Sequence, residues 1–355
     1  MGGAPGAPPI PAPREIRVFY YVLRRLATVV VMLFLITATT FALFFASPID
    51  PARYTCGKNC TPIILEGNRK ALGYDQPAIV QYGKFIQGLF VGREFPDNAE
   101  LRAQYPEQIV ECPAPCLGYS PSQHRTINEM VSEAWPISLS IAIGAFILWM
   151  LIGVGGGVVA ALNKGRWQDR GIVGAALIGF SLPTFFVGLV LLTFPAIKWG
   201  WLPIPSYVPF FEDPVNWALN LVLPWITLAF FFAASYVRLT RAYMIETMSE
   251  DYIRTARAKG VGKWQVIVRH GLRASLTPIV TAAGLDLGTL LGGAIITESV
   301  FSMHGLGYLA VHSVTNMDLP TIVALVLIVS AFIVLANMVV DIAYGFIDPR
   351  VKLAG

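Results

Sequence analysis

Six stretches of this 355-residue chain, at about 27–46, 136–162, 171–196, 219–237, 278–302 and 321–345, are apolar over the length a helix needs to cross a bilayer. A hydrocarbon layer about 30 Å thick requires roughly 20 helical residues, and it offers no water to satisfy exposed backbone groups. The chain is therefore expected to be an all-α polytopic membrane protein with six transmembrane helices. Its 55% hydrophobic and 14% charged residues, with a mean hydropathy of +0.60, set it apart from soluble domains.

The cations orient those spans. Arg14, Arg17, Arg24 and Arg25 flank the first, Lys164, Arg166 and Arg170 lie in the 163–170 loop, and eight Lys and Arg residues occupy 238–275. The opposite side has Lys198 near 197–218 and no Lys or Arg between 303 and 320. The positive-inside rule then places both termini in the cytoplasm. The resulting divisions are a disordered cytoplasmic N-terminus (1–18), a first span (19–46), a large extracytoplasmic loop (47–135), a five-helix core (136–345) and a cytoplasmic tail (346–355). The net charge of +4 reflects this orientation, not nucleic-acid binding. The first apolar segment is too long for a signal-peptide core and reads as an uncleaved anchor.

All four cysteines, Cys56, Cys60, Cys112 and Cys116, fall in the outer loop. An even count outside the membrane favours two disulfides, with three possible connectivities; a four-thiolate metal site is the rival. Either arrangement pins the loop.

The segment from Ser249 to Arg273 is a basic helix-turn-helix between two apolar spans. Ser249 is a suitable N-cap, Glu250 and Asp251 match the positive end of a helix dipole, and Lys259-Gly260 supplies a cationic stop with a residue that tolerates left-handed geometry. In the short helix expected next, Trp264, Ile267, Val268, Gly271 and Leu272 share a face opposite Lys263, Gln265, Arg269 and Arg273.

From Asp251 to Pro278 the chain resembles the cytoplasmic "EAA" loop of bacterial ATP-binding-cassette importer permeases, in its dipeptide/oligopeptide/nickel version. Ala256, Gly260 and Leu272 match the generic pattern, and Tyr252 to Gly260 followed by Arg269, His270, Leu272 and Arg273 matches the peptide-permease variant. Leu72-Gly73-Tyr74-Asp75-Gln76-Pro77, Glu298 to Phe301 with Gly305 and Gly307, and Asp348-Pro349-Arg350 extend the resemblance over roughly 18–352. It implies a type I importer permease fold in the bacterial inner membrane and a peptide or related solute. The implied partners are a second homologous permease subunit, two ABC ATPase subunits that hold ATP and Mg, an extracytoplasmic solute-binding protein, and membrane lipid. Arg254, Ala256, Arg257, Gly260, His270, Leu272 and Arg273 would contact the ATPase. The segment Phe95–Tyr119 and the cysteine pairs depart from the family pattern.

No catalytic residue, cofactor or metal site is expected in the chain itself. Lys259-Gly-Val-Gly-Lys263 lacks the spacing of a phosphate loop, and His124, His270, His304 and His312 are scattered. Asp286 and Glu298, acids within the fifth span, are candidate pathway residues, because a carboxylate in hydrocarbon must face the bundle interior, water or a partner. Gly284, Gly288 and Gly292 form a stripe suited to close helix packing. A self-sufficient channel or secondary transporter is the alternative reading.

Overall fold

Backbone groups with no water to bond must pair within the chain, and the computed structural model accordingly is mostly helical. It describes residues 14–46, 50–55 and 60–347. The long helices are α1 (Arg14–Ala46), α5 (Ile127–Leu162), α8 (Pro214–Ser249), α11 (Arg273–Val300) and α13 (Leu319–Ile347). Among the described residues, Leu26–Leu43 of α1, α5, α8 and Leu319–Met338 of α13 are long and apolar enough to cross a membrane individually. Helix α11 carries the fifth expected apolar stretch, with Asp286 near its middle.

The third expected span is broken. Helix α6 (Trp167–Ser181) stops before Pro183, whose ring disfavours helical geometry in the preceding residue. Helix α7 (Thr184–Leu191) and its π-helical continuation to Lys198 then leave at 99°. Pro224, by contrast, is accommodated inside α8. At 36 residues each, α5 and α8 measure roughly 54 Å. They begin nine and five residues before the apolar runs that announced them.

Glycines set the closeness of the central pair. A Cβ on Gly153 would lie 2.4 Å from the Tyr236 Cβ, and one on Gly157 would lie 2.4 Å from the Thr240 Cβ, so α5 and α8 meet nearly backbone to backbone. A Cβ on Gly288 would lie 3.2 Å from Ile333 Cγ2, so α11 also lies close to α13, though less tightly than α5 to α8. Trp149, Leu221, Leu223 and Ile279 fill the core between them.

The segment between α1 and α5 is structured. It carries α2 (Pro62–Ala71), α3 (Ala78–Val91), α4 (Ala99–Gln104) and two short antiparallel hairpins, so the fold is not purely helical. Strand β1 (Arg93–Phe95) pairs with β2 (Val110–Cys112), and β3 (Tyr119–Ser120) with β4 (Arg125–Thr126). Cys112 and Cys116 are disulfide-bonded to each other. Cys60 is also disulfide-bonded, and Cys56 lies outside the described residues. The Cys112–Cys116 loop is tied to α3 by the Cys116 amide donating to the Gly88 carbonyl at 3.0 Å. Asn128 ties it to α5, accepting from the Leu117 amide and donating to the Pro115 carbonyl. Residues 14–18, expected to be disordered, open α1; residues 1–13, Asp348, Pro349, Arg350 and the rest of the tail lie outside the described residues.

Candidate functional site

Helix α9 (Asp251–Ala258) follows α8 after a single residue. Its N-cap is Glu250; Ser249 is the last residue of α8, with its hydroxyl donating to the Glu246 carbonyl, which corrects the expected start by one position. The end is a Schellman turn. The Val261 amide donates to the Ala256 carbonyl at 3.2 Å and the Gly260 amide to the Arg257 carbonyl at 3.0 Å. Gly260 has φ +78°, with open space where a Cβ would stand, so glycine is required here for backbone conformation.

One face of α9 is anchored and the other is free. Ile253 is fully buried and Ala256 partly so, whereas Tyr252, Arg254, Arg257, Lys259 and Gly260 are exposed. Gly260 therefore does not share the packed face of Ile253. Among the described residues Arg254 pairs with the exposed Asp251 at 3.3 Å, a weak surface contact that leaves the cationic rim available to a partner.

The second half differs from the separate short helix expected from periodicity. Helix α10 (Lys263–Gln265) runs without interruption through a π-helical stretch, Val266–Leu272, into α11. Hydrogen bonds from i to i+5 widen the turn and shift the buried face. Val266, Ile267 and Gly271 are buried, while Trp264, 73% exposed, and Val268 face outward. A Cβ on Gly271 would lie 2.7 Å from Met248 Sδ and 3.0 Å from Met244 Cε, so this glycine seats the element against α8. His270 and Leu272 are partly buried and Arg273 is exposed.

The two interior acids have different settings. Asp286 accepts a 2.6 Å hydrogen bond from the Tyr236 hydroxyl on α8, beside an aromatic group in which Trp149 stacks on Phe232. Glu298 is fully buried. It accepts from the Ser138 hydroxyl at 2.6 Å and from the Tyr308 amide at 2.9 Å in α12 (Leu306–Thr315). A Cβ on Gly305 would lie 2.5 Å from its carboxylate. In this conformation Glu298 holds the start of α12 against α5.

Sequence reasoning missed Asp169. Nearly buried at the start of α6, it accepts from Arg241 Nε at 2.6 Å and Nη2 at 2.8 Å, and from the Gly165 amide at 2.8 Å. This bidentate pair joins the broken span to α8 about two turns before the end of that helix. Its sequence signal was a lone acid among the cations of a short loop. Among the described residues no group of three or more His, Cys, Asp or Glu is arranged to hold a metal ion.

The chain matches the family model described as binding-protein-dependent transport system inner membrane component over residues 153–353, and the corresponding N-terminal model over 18–142. A Brucella abortus (strain 2308) protein named as a peptide transport system permease is 33% identical over 334 residues, covering 93% of this chain and 98% of that one. The glutathione transport system permease protein GsiC of Escherichia coli (strain CFT073) is 34% identical over 332 residues, covering 94% and 98%. An inward-facing structure of the MetNI methionine ABC transporter aligns with a TM-score of 0.50 at 17% identity, over 62% of this chain and 97% of that one, a likeness of fold. The relation spans both the helical core and the segment before it, and the chain belongs to the family of binding-protein-dependent transport system inner membrane components.

Proposed function

We propose that this chain is one permease subunit of an ATP-driven importer of peptides or a related small solute. Its six spans would include α6–α7 as one broken crossing and α11 as the fifth, with both termini in the cytoplasm. It would form half of the path with a second homologous permease subunit and receive solute from an extracytoplasmic binding protein. Two ATPase subunits would supply ATP hydrolysis. The observation that carries this reading is α9: a short helix with an exposed cationic rim, anchored by Ile253 and joined by the Gly260 turn to the helix that starts at Lys263 and continues into α11. A push on such an element reaches α8 and α11 without slack. Arg254, Ala256, Arg257 and Gly260 would seat on the ATPase, and His270, Leu272 and Arg273 would continue that surface. Names of the relatives support peptides or glutathione as the solute class.

Affinity purification of the tagged chain from its native membrane tests the proposal. An ATPase pair and a second permease should co-purify, with ATP hydrolysis stimulated by a loaded binding protein. Solute uptake by the isolated chain in vesicles without ATP would instead establish a self-sufficient carrier.

A further inference from the structure

Helix α3 falls within the segment expected to be an extracytoplasmic loop, yet it packs against the apolar stretch of α1. The Tyr82 hydroxyl is 2.8 Å from Thr37 Oγ1 and 3.1 Å from the Phe34 carbonyl, and the Tyr82 ring packs edge-on against Phe34 and Phe41. All three α1 residues belong to its apolar stretch, Leu26–Leu43. At 1.5 Å per residue they lie roughly 3–14 Å inside the Leu43 end of that stretch. Phe85 packs on Leu319 and Val323, at the start of the apolar stretch of α13.

The outward side of α3 suits the same depth. Its exposed residues are Ile79, Val80, Gly83, Gln87, Phe90 and Val91, with no ionisable group among them. Ile79, Phe90 and Val91 are 87%, 78% and 74% exposed, and on α1 Phe34, which Tyr82 touches, is 52% exposed. The one cation of α3, Lys84, is turned away to Asp97 at 2.5 Å. A 14-residue helix of this kind is too short to span but satisfies its own backbone, as an interfacial helix must.

We propose that α3 is embedded in the acyl chains of the leaflet at the Ala46 end of α1, with Ile79, Val80, Phe90 and Val91 facing lipid. The bilayer then bears on the disulfide loop directly, because Gly88 of α3 holds the Cys116 amide. This inference requires only that α1 and α13 cross the membrane, and it stands apart from the solute and coupling roles.

The test uses the assembled transporter in phosphatidylcholine vesicles, with native cysteines kept oxidised. An environment-sensitive fluorophore is placed on Ile79→Cys, on Phe90→Cys and, as an aqueous reference, on Glu100→Cys in the exposed face of α4. Phosphatidylcholine spin-labelled at carbon 5 should quench the labels at 79 and 90 several-fold more than the label at 100, and iodide should show the reverse order. Iodide quenching at 79 and 90 equal to that at 100 would overturn the proposal, as would protection from both quenchers, which would mean a protein partner covers the face. In the unaltered chain, a lipid-borne carbene reagent should label the peptide 78–91 to an extent comparable with α1; absence of label there would also overturn it.

Discussion

Ser138 on α5 and Glu298 on α11 share a 2.6 Å hydrogen bond across 160 residues of sequence, and the same Ser138 hydroxyl oxygen accepts the Leu306 amide at 2.7 Å. Three helices thus meet on one hydroxyl. Both groups are fully buried, so no water replaces a lost partner.

Ser138→Ala is therefore expected to destabilise the assembled protein by about 1–3 kcal/mol, the penalty for leaving a buried donor or acceptor unsatisfied. Glu298→Gln should cost at least as much, since its amide would set a donor against the Tyr308 N–H if placed there. Thermal unfolding of the purified complex measures both. An unchanged melting temperature for Ser138→Ala would show that the junction does not hold α12.

Gly260→Val should uncouple without disassembling. A β-branched residue at φ +78° costs roughly 1–2 kcal/mol, and the Schellman turn reorients the chain between Arg257 and Lys263. Membrane insertion and partner binding should persist while solute-stimulated ATP hydrolysis falls several-fold. Asn, which enters the left-handed region more readily, should fall less. Wild-type stimulation in Gly260→Val would remove Gly260 from the coupling surface.

Asp286→Asn separates charge from hydrogen bonding. The amide oxygen still accepts from Tyr236, so assembly and melting temperature should stay near wild type. If Asp286 attracts protonated amino groups along the path, uptake of solutes with a free amino terminus should fall relative to blocked analogues. Equal rates for both solutes would assign Asp286 a packing role alone.

The hairpin following α3 should weaken in acid. Burial of Asp97 opposes its charge, yet hydrogen bonds from Lys84 and from Arg93, at 2.5 and 2.7 Å, outweigh burial and hold its carboxyl below the ordinary value of about 3.9. A depressed folded-state value means that the stabilisation is complete above the unfolded value and is lost as pH falls through the folded one. Pepsin cleavage within 93–119 should rise steeply below about pH 4. Asp97→Asn should render the same segment susceptible to thermolysin at neutral pH. A cleavage rate in that variant equal to wild type would rule out Asp97 as the anchor.

The sequence by itself determined the membrane class, most of the long helices, the cationic turn around α9 and its closing glycine, because these depend on local quantities. Apolar run length, charge placement and the φ that Gly260 must adopt are properties of neighbouring residues. Tertiary structure decided the remainder. Whether Leu182-Pro183 bends a span by 99° or is absorbed as Pro224 is depends on what packs around each proline. The buried side of 263–273 moved from Trp264 to Val266 because a π-helical turn brings Gly271 against Met244 and Met248. Asp169 looked like one acid in a basic loop until Arg241, 72 residues away, closed on it. Glu298 read as an acid in an apolar span, and only the fold shows Ser138 and the Tyr308 amide bonded to its oxygens. Arg241 and Ser138 are distant in sequence from the acids they satisfy, and a buried polar group takes its role from the partner that satisfies it.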